Sequence, residues 1–179
     1  MLDGSGPFAA PVYRAAHVTT ELAREPWQMA AYFALRQAIF VREQALFAAS
    51  DCDAADLHAT PIVALSHMAG MPDDVIGVVR IYETEPDVWY GGRLGVSAAY
   101  RARAAVGREL VRKAVGTANA RGCQRFLATI QRSNVPYFER LHFSSLFELS
   151  VCGTAHHLMQ ADLHRYPAIP AQSGERHAA

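Results

Sequence analysis

The stretch from Val88 to Gly122 constrains the fold most. Val88 to Val96 has the apolar and aromatic character of a strand, yet it carries Gly91, Gly92 and Gly95. Glycines inside a strand mark a bulge or a close approach by another backbone. The next segment, Ser97-Ala98-Ala99-Tyr100-Arg101-Ala102-Arg103-Ala104-Ala105, consists mostly of small residues and arginines. It opens into a helix expected over 105–121, where Val106, Leu110, Val111, Ala114, Val115 and Ala118 form one apolar stripe. Gly122 stands where a helix commonly ends on a residue of positive φ. A strand that feeds such a helix calls for a sheet with helices packed on it. Helix N-termini present unpaired N–H groups and partial positive charge, and small residues let an anion come close. Arg101, Arg103 and Arg108 add formal charge, so the loop reads as an anion site suited to a pyrophosphate. The alternative is an ordinary β–α loop whose arginines serve solubility.

The remaining pattern places this unit in one domain. A first strand is expected over 12–18 and a helix over 26–44, with a break near Gln37. Ser50 to His58 is a polar, acidic loop; Ile62 to His67 is a strand; Met71 to Asp74 is a turn; Val75 to Thr84 is a β-branched strand. After the helix come a strand over 126–131 and a short helix begun by Ser133-Asn134-Val135-Pro136. Segments 146–151 and 158–163 form a hairpin around Cys152-Gly153-Thr154. The order β-α-β-β-β-α-β-α-β-β is a mixed α/β or α+β domain over residues 12–166, with a flexible arm over 1–11 and a flexible tail over 167–179.

Composition narrows the function classes. Lys plus Arg and Asp plus Glu both number 17, so the chain has zero formal charge with histidine neutral. That balance argues against a dedicated nucleic-acid or polybasic membrane binder and leaves room for a local basic patch. A hydrophobic share of 51% excludes wholesale disorder. No apolar run approaches the roughly 20 residues that span a bilayer, and residues 1–11 show no secretory pattern. Cys52, Cys123 and Cys152 lie far apart without C-x-x-C spacing, which fits free thiols in a reducing cytoplasm. Only one basic residue, Lys113, is a lysine, so Schiff-base chemistry has a single candidate.

Several segments together resemble one family. The run Val96-x-x-x-Tyr100-Arg101-x-Arg103-x-x-x-Gly107-Arg108-x-Leu110 is followed by the strand Phe126–Ile130 and by Asn134-x-x-x-Phe138-Glu139-Arg140-Leu141-x-Phe143. In this order they resemble the coenzyme A motif of GNAT-type N-acetyltransferases. Leu35-Arg36 through Glu43-Gln44 resembles the L-R-x-x-V-F-x-x-E-Q start of one branch, and His156-His157 through Asp162-Leu163 resembles the ending of a subgroup found beside nitrilase-type operons. The resemblance spans about residues 28–165. It implies an α+β, GNAT-like sheet, mixed but largely antiparallel, with splayed central strands and flanking helices. It implies acetyl-CoA as cosubstrate and the amine of a small molecule as acceptor, in the cytoplasm, with no nucleic acid or membrane partner. A homodimer is left open.

By the same resemblance, Leu94, Gly95 and Val96 offer backbone groups to the pantetheine arm and thioester. Arg101, Ala102, Arg103, Ala104, Ala105, Val106, Gly107 and Arg108 cradle the pyrophosphate, and Asn134 and Phe138 contact the cofactor arm. Two departures stand out. Ala104 and Ala105 occupy positions where glycine is usual, and alanine resists positive φ. The tyrosine that often protonates the leaving thiolate is here Phe138, with Tyr137 displaced by one residue, about 100° of helix rotation.

The chemistry sets further expectations. An amine must lose a proton before it attacks, and Glu43 and Glu83 are the candidate bases. A backbone N–H near Gly95 or Val96 would stabilise the oxyanion, and Tyr137 is the candidate general acid. Direct attack in a ternary complex needs no nucleophilic residue. Arg80, inside an apolar strand, either faces solvent or lines a pocket that favours a carboxylate. Asp51, Asp53, Asp56 and His58 read as an acidic lip attracting a cationic amine. His156 and His157, adjacent on a strand, point to opposite faces and do not share a metal ion. The rival functions are transfer of a longer acyl chain or from another acyl donor, and a degenerate, non-catalytic CoA-binding module.

Overall fold

The computed structural model describes residues 17–151 and 153–170. Helix α1, Pro26–Arg36, begins with proline in its first turn and a reciprocal cap between Glu25 and Gln28. It continues into a π-helical segment, Gln37–Glu43, in which the Gln44 N–H donates to the Ile39 carbonyl at 2.9 Å. The break expected near Gln37 is therefore a change of helical winding, which displaces the following side chains from the α register.

The strands are β1 (Val18–Leu22), β2 (Thr60–Met68), β3 (Met71–Glu85), β4 (Val88–Val96), β5 (Arg125–Gln131), β6 (Phe143–Val151) and β7 (Thr154–Ala161). They form one sheet in the order β1-β2-β3-β4-β5-β7-β6. Neighbours pair antiparallel except β4 and β5, which are parallel. Helix α2 (Ala104–Ala120) joins that parallel pair, and α3 (Val135–Arg140) follows β5. The fold is the expected mixed α+β arrangement. The expected first strand shifts: β1 starts at Val18, and residues 12–16 lie outside the described residues. The turn expected at Met71–Asp74 is instead the start of β3, because Ala69 and Gly70 make the turn with positive φ.

Alternation along β2 builds two cores. Ile62 and Ala64 face the α2 side with Ile76, Leu110, Val115, Phe126 and Met159, while Val63 and Leu65 face α1 with Tyr32, Val75 and Val78. The segment after β7 does not fray at 167: the Ile169 N–H donates to the Gly116 carbonyl at 2.9 Å. Its side chain fills the space a Cβ on Gly116 would need, 2.7 Å away. At the far edge of the sheet, β6 exposes Leu146, Phe147 and Val151. Among the described residues no helix is long and apolar enough to cross a membrane.

Candidate active site

The sheet opens between its two parallel strands. The β4–β5 ladder runs from Val88↔Arg125 to Gly91↔Ala128 and stops, although β4 continues to Val96 and β5 to Gln131. Beyond Ala128, β5 stays with β7 as far as Gln131↔His156, while β4 stays with β3 as far as Val96↔Gly77. The two strands therefore diverge because each follows its antiparallel neighbour. A bulge in β4 sharpens the divergence: Arg80 pairs with Gly92 but Val78 with Gly95, and Arg93 takes φ 54°. Gly95 lets the π segment lie directly on β4, since a Cβ there would meet Ile39 Cδ1 at 2.8 Å and Phe40 Cζ at 3.3 Å.

The opening is a cleft of about 590 Å³, within the range that takes a small ligand. Below the sheet its floor is apolar, with Val111, Val115, Phe126, Ile130 and Phe138. Above, it is lined by Phe47, Arg93, Gln131, Asn134 and His156. Leu94 lines it too, and Gly95 and Val96 continue the unpaired edge of β4. Asn134 is the N-cap of α3, and its side chain makes no capping bond. Phe138 is buried and packs edge-on against Phe143, ring centroids 5.3 Å apart.

Beside the cleft, α2 begins without a side-chain cap at Arg103 and without an acidic residue in its first turn. Ala104 and Ala105 are exposed and absent from the positive-φ residues, so alanine in place of glycine strains nothing here. Val106 and Gly107 are buried. Arg101 reaches back, donating to Glu43 Oε1 at 2.5 Å and Oε2 at 3.0 Å, and to the Val96 carbonyl from Nε and Nη2. The Arg103 guanidinium lies 5.5 Å from the Tyr100 ring centroid. Ala102 and Arg108 are exposed.

The three proton-transfer candidates do not meet at the cleft. Glu43 is exposed, and the hydrogen bonds from Arg101 hold its carboxyl below the ordinary carboxylate range. Glu83 accepts the Asp87 N–H at 2.9 Å, at the β3–β4 turn, the closed end of the splay. The Tyr137 hydroxyl lies 2.9 Å from where a Cβ on Gly107 would stand, under the first turn of α2, and burial pushes its pKa up. None of the three lines the cleft; one residue of helix rotation puts Phe138 there instead of Tyr137.

The loop before β2 is pinned by charge. Arg36, fully buried, donates to Asp51 Oδ2 at 2.7 Å, to Asp56 Oδ1 at 2.6 Å and to the Tyr32 hydroxyl at 3.1 Å. Arg80, 3% exposed, grips both oxygens of Asp53 at 2.7 and 2.6 Å and reaches Asp56 Oδ2 at 2.7 Å. Arg93 completes the set through the Asp51 carbonyl at 2.8 Å and Asp53 Oδ2 at 3.1 Å. Burial alone would lift the Asp56 carboxyl, but hydrogen bonds from Arg36 and Arg80 hold it far below the usual range; Asp53 is lowered chiefly by Arg80. Two expectations are corrected. Arg80 neither faces solvent nor lines the cleft, and the acidic lip is neutralised by three arginines. Among the described residues no group of three metal-ligating side chains stands together.

Sequence reasoning missed Arg93, which lines the cleft with its guanidinium 4.5 Å from the Phe47 ring centroid. The Gly91-Gly92-Arg93 run was the signal, since a bulge re-aims the side chain that follows it. It also missed Phe47, for which the π winding left none. His156 and His157 part as expected: His156 lines the cleft, whereas His157 Nδ1 lies 2.8 Å from Ser145 Oγ and its Nε2 lies 3.4 Å from Glu148.

A sheet parted between parallel strands, with an uncapped helix N-terminus at the parting, is the architecture of acyl-CoA-dependent N-acyltransferases. The chain belongs to the acetyltransferase (GNAT) family, whose model matches residues 15–143. Solved structures agree on the fold. A putative N-acetyltransferase from Lactobacillus plantarum is 23% identical with TM-score 0.70, covering 83% of this chain and 98% of its own. Escherichia coli ElaA is 21% identical with TM-score 0.67, covering 82% and 99%. A CoA-dependent acyl-homoserine lactone synthase, BjaI, solved with SAM and isopentyl-CoA, is 18% identical with TM-score 0.60, covering 75% of each chain. No curated protein matches the sequence. The protein is an acyltransferase of the GNAT type.

Proposed function

We propose that the protein transfers an acetyl group from acetyl-CoA to the amine of a small molecule by direct attack in a ternary complex. The observation that carries this reading is the termination of the β4–β5 ladder at Gly91↔Ala128 beside the uncapped start of α2. The unpaired edge Leu94-Gly95-Val96 offers backbone groups to the pantetheine arm and a donor for the oxyanion. The N–H groups of Ala104 and Ala105, with Ala102, Arg103, Val106, Gly107 and Arg108 around them, suit a pyrophosphate. Arg101 joins that cradle only by exchanging its pairing with Glu43. Asn134 and Phe138 line the path of the arm. A cytoplasmic setting, a homodimer and the nitrilase-associated subgroup belong to the same proposal.

The amine nitrogen attacks the thioester carbonyl, and the thiolate leaves with little help because its pKa is intrinsically low. A second reading, transfer of a longer acyl chain, is favoured by the apolar floor of Val111, Val115, Phe126 and Ile130 under the splay. Isothermal titration with acetyl-CoA tests the proposal: saturable binding is expected, and no heat at millimolar ligand overturns it. Competition among acetyl-, butyryl- and octanoyl-CoA separates the two readings, since tighter binding of the longer esters selects the second.

A further inference from the structure

Among the described residues lining the cleft, only Arg93 and His156 carry ionisable side chains. Arg93 is held by Asp51 and Asp53, and a guanidinium cannot accept a proton. His156 is different. Its Nδ1 lies 2.8 Å from the Thr154 carbonyl. A carbonyl oxygen only accepts, so the partner assigns the proton to Nδ1 and leaves the lone pair on Nε2. Nε2 has no hydrogen-bond partner among the described residues.

Position agrees with chemistry. His156 pairs with Gln131, beyond the last β4–β5 rung, so it stands at the open end of the splay. Met159 and Ala161 of the same strand face the α2 core, which puts His156 on the opposite face. Gln131 and Thr129 share that face, because Phe126, Ala128 and Ile130 point into the core. Its ladder partners Gln131 and Leu149 are uncharged, and Arg93 is the one formal charge lining the cleft with it.

We propose that His156 is the proton acceptor of the acyl transfer, which rests on the acyltransferase reading above. As the amine nitrogen bonds to the thioester carbon, His156 Nε2 takes its proton. The C–S bond breaks with its electron pair going to sulfur, and the thiolate is then protonated from the imidazolium or from water. The products are the amide and the free thiol of CoA.

The test uses the full chain with acetyl-CoA and acetohydrazide, a small acceptor that is uncharged at neutral pH. His156→Gln is expected to lower kcat roughly 100-fold or more, with binding of acetyl-CoA and the urea midpoint unchanged. The ratio of wild-type to variant rate should fall as the solution is acidified, since protonation of the imidazole removes the base only from the wild type. Added imidazole should restore rate to His156→Ala but not to wild type. A variant with wild-type kcat and pH profile overturns the assignment and leaves the acyltransferase reading standing. Wild type that binds acetyl-CoA but acylates acetohydrazide no faster than buffer overturns the assignment too. Wild type that fails to bind acetyl-CoA overturns the acyltransferase reading itself.

Discussion

Arg36 shows how much one side chain organises. It is fully buried and satisfies Asp51, Asp56 and Tyr32 together, anchoring the loop that carries Phe47 to the cleft. Removing one partner of a buried ion pair strands the other, at a cost of about 3–5 kcal/mol. Arg36→Met is therefore expected to lose that much in urea denaturation, more than truncation of the exposed Arg112 would. Acid should act on the same residues. The Asp53 and Asp56 carboxyls are depressed in the folded state, so their stabilisation is complete above the unfolded carboxylate value near 4 and is lost as pH falls through the lower folded values. The urea midpoint should hold from neutrality to about pH 5 and decline progressively below about pH 4. Asp56→Asn should start less stable and show a shallower acid decline. None of these pairs was legible in the sequence. Arg80 and Asp53 are separated by a strand and a loop, and only the register of β2 on β3 brings them together.

Elements were legible where periodicity spoke plainly. The stripe from Val106 to Ala118 is the buried face of α2, and the β-branched run from Val75 is the core of β3. The π segment was not, because an i→i+5 turn adds a residue without altering composition. The hairpin β6–β7 runs longer than its apolar ends suggested, since main-chain pairing extends through Ser144, Ser145 and the histidines. The turn from α3 to β6 offers a test at this scale. His142 holds φ 60°, and its side chain is exposed. Left-handed backbone costs a side-chain-bearing residue about 1–2 kcal/mol, partly offset by the entropy glycine loses on folding. His142→Gly is expected to raise stability by about 0.5–1 kcal/mol in chemical denaturation, and Gly122→Ala, at φ 90°, to lower it.

At the scale of the molecule, the splay is a permanent interruption of the sheet between two halves. Ligand that fills it should tie β4 to β5. Acetyl-CoA at 100 times its Kd adds about 2.7 kcal/mol, which raises the melting temperature of a chain this size by roughly 5–10 °C. The shift should shrink in high salt, because an exposed helix terminus and arginines recognise the diphosphate through screened charge. The general position of this site, at the glycine-bearing strand and the following loop, was visible in the sequence from Gly91 to Gly107. Which side chains line the cleft was less legible, because strand alternation gives the face of His156 but not its neighbours.

One feature of the cleft sorts acceptors before any bond is made. Among the described residues no aspartate or glutamate lines it, and its one charged side chain besides a protonated histidine, Arg93, is already paired with Asp51 and Asp53. An ammonium ion gives up water on entering and gains no counter-ion in exchange. Under the proposed reading, nucleophiles that travel uncharged at neutral pH, such as arylamines and hydrazides, enter without that electrostatic handicap. Strongly basic polyamines are the poorest fit.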